Sequence, residues 1–194
     1  MNVKLTLGIV LSILLVAAVI AVAGTKHDSG EHAGRAYDQE FARLLVKLEL
    51  QTRAVIAKHY VKADETHRDW LAHNLLLPAA VADNVFHEVV PEVTEGRAWV
   101  KMIVDEPRNP NNAGDAITPA MLKELRAGND SVERSTKNAY YYGEPIRAAK
   151  TCLVCHGSPQ GEPDPYFPEY AKNGWETGQV VGAVIARVAT ETHD

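Results

Sequence analysis

The chain has 194 residues, 46% of them apolar and 23% charged, with a net charge of −5 at pH 7. That length and apolar content suffice for a single buried core without disulfide staples. The acidic balance argues against a nucleic-acid partner, because a phosphate-binding surface needs an excess of Lys and Arg.

Leu5–Gly24 is a run of twenty uncharged residues. As a helix it would span about 30 Å, the thickness of a bilayer core. It reads as a transmembrane anchor, or as a signal segment cleaved after Ala21-Val22-Ala23. The run exceeds the usual signal core, which favours the anchor. On both readings the bulk of the chain crosses the membrane. Lys4 on one side against Lys26 and Arg35 on the other is too weak an asymmetry to set orientation. Residues 25–34 are polar, contain two glycines and read as a linker, with His27 and His32 solvated.

From Arg35 to about Lys62 there is no Gly or Pro. Phe41, Leu44, Leu45, Leu48, Val55 and Ile56 recur at helical spacing, which predicts a long amphipathic helix. Such a helix is also a candidate homodimer surface. A second helical stretch, 64–90, is interrupted at Pro78, a residue tolerated in a first turn but not inside a helix. Residues 97–104 (RAWVKMIV) read as a strand. Residues 105–119 form a turn-rich loop, and 119–127 a short helix. Two further strands are expected at 138–148 and 179–189. Between them, 157–178 holds four prolines and four glycines and reads as an irregular surface loop. Helices followed by strands make the class α+β with an antiparallel sheet. The domain layout is 1–24 anchor or signal, 25–34 linker and 35–194 globular domain.

The only two cysteines of the chain lie in Thr151-Cys152-Leu153-Val154-Cys155-His156-Gly157. Two thiols at this spacing, followed directly by a histidine, fit covalent attachment of one haem c with His156 as axial iron ligand. A zinc site wants four ligands, usually two such pairs, and no second pair exists. A dithiol redox motif wants a βαβ setting and a helix beginning at the first Cys. Here a strand precedes the motif, and Gly157, Ser158 and Pro159 follow it. Export across the membrane agrees with haem c.

The stretch YYGEPIRAAKTCLVCHGSPQG, with PRNPNNAGDA before it and GQVVGAVIARV after it, resembles the PAS-like c-type haem domain family. That family was long catalogued as a domain of unknown function, and the resemblance covers roughly residues 36–190. Members serve as periplasmic sensor modules or as free-standing haem proteins. The resemblance implies a PAS-like sheet with a long N-terminal helix. It implies Cys152 and Cys155 as thioether positions and His156 as proximal ligand. Arg108, Asn109 and Pro110 match the family's Arg-Asn-Pro motif. Asn109 and Pro110 suit a tight turn. Arg108 suits either that turn or a haem propionate. Some members supply a distal cysteine; this chain has no third Cys, so the sixth position needs another group or stays open.

The side chain across the iron decides between electron transfer and ligand binding. His59, His67, His73, His87, Met102 and Met121 are candidates. His73, five residues before Pro78, comes first, and His87 beside Phe86 second. His59 and His67 sit among charges, and Met102 reads as core. Tyr140, Tyr141, Tyr142, Trp99 and Trp175 are candidate pocket aromatics, Tyr142 foremost, with at least one tyrosine expected to pack within the sheet.

The leading expectation is a monohaem cytochrome without enzymatic activity, passing electrons to a redox partner protein. Its place is the periplasmic side of the bacterial inner membrane, or the soluble periplasm if the N-terminal segment is removed. The alternative is a redox or diatomic-gas sensor. The chain shows no output segment before Asp194, so that reading needs a separate partner. Catalysis at an open iron lacks an identifiable acid–base pair.

Overall fold

The computed structural model describes residues 31–62, 78–105 and 107–190. The expected anchor or signal segment and residues 25–30 lie outside the described residues, as do His67 and His73. Among the described residues no helix is long and apolar enough to cross a membrane. Two compact units are distinguishable, Met1–Gly34 and Arg35–Asp194. The second contains all of the described fold apart from the first turn of the first helix.

The elements in order are α1 (Glu31–Lys62), α2 (Pro78–Val93), β1 (Ala98–Ile103), a 3-10 turn (Pro110–Asn112), α3 (Thr118–Arg126), β2 (Val132–Ser135), β3 (Ala139–Arg147), α4 (Leu153–His156) and β4 (Val180–Ala189). The four strands form one antiparallel sheet in the order β1-β4-β3-β2. The α+β class and the antiparallel sheet match the expectation. Three differences stand out. Helix α1 starts four residues early, within the expected linker. Strand β2 (VERS) was not foreseen: it is polar, four residues long and at a sheet edge, and only Val132 is buried. A single helical turn, α4, occupies the cysteine motif directly after Cys152, between the expected strand and the expected loop, where no helix was expected.

Strand alternation sends side chains to opposite faces and gives two cores. One face holds Ile103, Tyr141, Ala183, Ile185 and Val132, closed by Met121, Leu122 and Leu125 of α3. Met121 is therefore core, not a ligand. Trp99 lies edge-on to Tyr141, with centroids 6.0 Å apart. The Tyr141 hydroxyl donates to Asp115 Oδ2 at 3.0 Å. Trp99 and Tyr141 are thus packing residues.

Register puts Tyr140, Tyr142 and Glu144 of β3 on the other face, with Val184 and Ala186 of β4 and Val100 and Met102 of β1. Helices α1 and α2 cover it. Phe41, Ala42, Leu45, Val46 and Glu49 form the buried stripe of α1; Ala82, Asp83, Phe86 and Val90 form that of α2. Arg43 of α1 bridges to Glu133 of β2 at 2.6 Å and lies over the Tyr142 ring. Asp83 Oδ1 accepts from the Met102 amide at 3.3 Å, which docks the start of α2 against the end of β1. Between the helices, Arg53 pairs with Glu49, and Arg53 Nη2 lies 3.8 Å from Asp83 Oδ1. Burial raises the pKa of Glu49, and Arg53 opposes the rise.

Candidate functional site

Strands β1 and β3 both finish, and β4 begins, at one end of the sheet: Ile103 and Pro145 each pair with Ala183. The Arg-Asn-Pro loop leaves from β1 there, and the cysteine motif leaves from β3. Topology therefore brings the two motifs together.

The first is a compact turn. Asn109 caps it, its Oδ1 accepting from the Asn111 amide at 3.0 Å, and Ala113 N–H closes on Pro110 O at 3.1 Å. Asn109 and Pro110 thus have the turn-building role read from the sequence. Arg108 does more. Its Nη1 donates to Asp164 Oδ2 at 2.7 Å; its Nη2 donates to Ala171 O at 2.7 Å and to Cys155 O at 3.4 Å. The guanidinium also lies 5.0 Å over the Tyr170 ring. Both terminal nitrogens are occupied by protein, so Arg108 acts here as a clamp between the turn, the cysteine motif and the 157–178 loop.

Asp164 is the buried centre of that clamp, its side chain 0% exposed. Burial opposes its ionisation, but the Tyr166 and Phe167 amides and Arg108 outweigh this and hold its pKa below the usual carboxylate range.

Cys152 precedes α4 and Cys155 lies within it, so the thiols are three residues apart on a helical turn and share a face. Both are free and half-buried. Burial pushes the Cys155 thiol up to about 12, and the Asp164 carboxylate adds to the shift. Gly157 ends the turn: a β-carbon there would lie 2.5 Å from Leu153 O, so only glycine permits this close return.

His156 is held by the irregular loop. Its Nδ1 lies 2.6 Å from Asn173 Oδ1. Its ring stacks on Trp175 at 4.2 Å between centroids and 15° between planes. Trp175 N–H donates to His156 O at 2.8 Å, and Gly174 N–H to Gly157 O at 3.1 Å. Gly174 has φ +76 and passes against Gln160, where a β-carbon would sit 2.9 Å from Cβ. Burial lowers the His156 pKa, which favours the neutral imidazole that binds metal. The amide oxygen accepts Nδ1–H and leaves Nε2 as the free donor atom. Beside this arrangement Trp175 also lines an open cleft of about 450 Å³ with Arg126, Arg147, Gln179, Val180 and Val181.

The other expected residues fall elsewhere. Tyr142 is buried under α1, its hydroxyl donating to Glu144 Oε1 at 2.8 Å. His87 is half-buried on α2, one turn beyond Asp83 and so farther from the sheet end that carries the motif. Sequence reading missed Asn173 and Asp164. Both sit in a loop without periodicity, and their partners are 17 and 56 residues away.

A family model described as Tll0287-like matches residues 36–189. No curated protein matches. Among solved structures, the fold is similar to that in the crystal structure of the cyanobacterial haem protein Tll0287. That likeness has a TM-score of 0.56 and 16% identity, and covers 86% of this chain and 99% of the other.

Proposed function

Because the chain belongs to the Tll0287-like family, we propose that its globular domain holds one covalent haem c and carries electrons. One observation carries the reading. Two free, half-buried thiols share a helical turn with a histidine whose Nδ1 is engaged and whose Nε2 is free. That donor set fits haem c: Cys152 and Cys155 would hold the vinyl carbons through thioethers, and His156 would ligate the iron. Haem iron with two protein ligands supplies one-electron transfer.

The chain's own residues orient the group. Asn173 holds the imidazole tautomer, Gly157 lets the turn close, and Arg108 with Asp164 fixes the loop that carries Asn173 and Trp175. We assign the sixth position to His73, five residues before α2. Of the described candidates, Met121 is core beneath α3, Met102 lies within β1 on the face covered by α1 and α2, and His87 lies a turn farther from the motif. Arg108 is assigned to the clamp and Tyr142 to the helix–sheet core beside Glu144, not to direct haem contact.

The sheet order β1-β4-β3-β2 under two helices supports a PAS-like frame. The apolar Leu5–Gly24 run supports anchoring in the inner membrane, with the domain on the periplasmic side and a small redox protein as partner. One observation favours a second reading, that of a redox or gas sensor. Helix α1 runs for 32 residues, about 48 Å, and can pass a change in the domain toward the N-terminal segment.

Carbon monoxide separates the two. A ferrous protein that stays six-coordinate, low-spin and indifferent to CO supports electron transfer. CO binding at low concentration overturns it in favour of ligand sensing.

A further inference from the structure

Asn173 and Trp175 grip the same imidazole in two independent ways. The amide oxygen accepts from Nδ1–H with 2.6 Å between the heavy atoms, and the indole stacks on the ring face with 4.2 Å between centroids. The Trp175 amide also bonds the histidine's own carbonyl, so the loop holds main chain and side chain together. The hydrogen bond limits rotation out of plane, and the stack limits tilt. Nothing else among the described residues is within hydrogen-bonding reach of the His156 ring.

We infer that Asn173 is a positioning residue that sets the reduction potential of this protein through the donor strength of His156, with Trp175 fixing the ring's orientation. This rests on the haem reading above. The physical basis is the partial negative charge on the acceptor at Nδ1–H. A stronger acceptor makes the imidazole more basic at Nε2 and favours ferric iron; a missing acceptor does the reverse. A neutral amide holds the potential between those limits. Because Asn173 is an exposed loop residue, its substitution leaves the core intact.

The test compares the full chain with Asn173→Asp and Asn173→Ala, each produced in a host competent for haem c maturation. Asn173→Asp keeps the side-chain shape but adds charge, and should lower the midpoint potential. Asn173→Ala removes the acceptor and should raise it. In the ferric state the exchangeable Nδ1 proton of the ligand, followed by paramagnetic NMR, should exchange faster in Asn173→Ala than in the parent. Trp175→Leu should alter the ferric EPR anisotropy, and Trp175→Phe should restore it. Opposite potential shifts in the two Asn173 variants support the inference, since a merely loosened loop would move both the same way. Haem-loaded variants with the parent's potential and proton exchange would overturn it, while leaving the haem reading intact. A parent chain without covalent haem would overturn that reading instead.

Discussion

Arg108 and Asp164, 56 residues apart in the chain, meet at 2.7 Å and close the cysteine motif against the turn that follows β1. The carboxylate is fully buried and the guanidinium largely so. Such a pair is costly to break from one side, because the remaining charge is left in a poor solvent. Arg108→Ala should therefore lower unfolding stability by about 3 kcal/mol or more, and Arg108→Lys by less. Urea unfolding at unchanged m-value measures it. An Arg108→Ala midpoint equal to the parent's would show that the clamp contributes nothing.

The same pair has a pH signature. The folded-state pKa of Asp164 is depressed, so its contribution is present above the ordinary carboxylate pKa. It disappears as pH falls through the folded value. Asp164→Asn should be less stable than the parent at pH 7, by about 1–3 kcal/mol, with the gap closing as pH falls below the ordinary carboxylate pKa toward the depressed folded-state value. A gap that stays constant over that range would rule out the carboxylate as its source.

Glu49 predicts the opposite slope. Burial raises its pKa, so the fold favours the protonated acid and the ionised form weakens it as pH rises. In the parent, Arg53 offsets this. Arg53→Met leaves Glu49 near Asp83 without a cation, and should cost about 3–5 kcal/mol at neutral pH. Part of that loss should return in mild acid, as pH falls through the raised pKa of Glu49 and the carboxylate takes up a proton. Thermal melts across this window would count against the idea if the variant were less stable in mild acid than at neutrality.

Cys152→Ser and Cys155→Ser should each leave one thioether, so the polypeptide keeps haem on a denaturing gel. The double variant should lose it. His156→Ala should retain covalent haem but change the spin state. A haem stain and an optical spectrum check both, and a double serine variant that still stains would contradict attachment at these sulfurs.

On the other face of the iron, His73→Ala should convert a low-spin spectrum to a high-spin one, while His87→Ala should not. The reverse result would move the ligand to α2 and require its first turns to pack differently against β1.

Much of this was readable from the chain. Cys152, Cys155 and His156 declare themselves because their chemistry lies within five consecutive residues. The Arg-Asn-Pro motif and the stretch from Tyr142 to Val188 carry the family resemblance, which the match over residues 36–189 bears out. Strands β1, β3 and β4 announce themselves through branched and aromatic residues, and the α1 stripe through its spacing. Strand β2 could not, since Glu133 and Arg134 reach partners in α1 and α3 rather than forming an apolar pattern. Tyr141 and Tyr142 are neighbours of identical type, and only the pleat assigns them to different cores. Asn173 and Asp164 were invisible for a related reason. Their roles depend on how a loop of prolines and glycines folds back, and no local period encodes that.

The central claim is that one haem is bonded through Cys152 and Cys155. Acid–solvent extraction followed by a pyridine haemochrome spectrum tests it most directly, on chain produced with haem c maturation. The expected result is haem that stays with the polypeptide and shows the blue-shifted band of a porphyrin with both vinyl groups saturated. Haem that leaves with the solvent and shows intact vinyl groups, or no haem at all, would contradict the account.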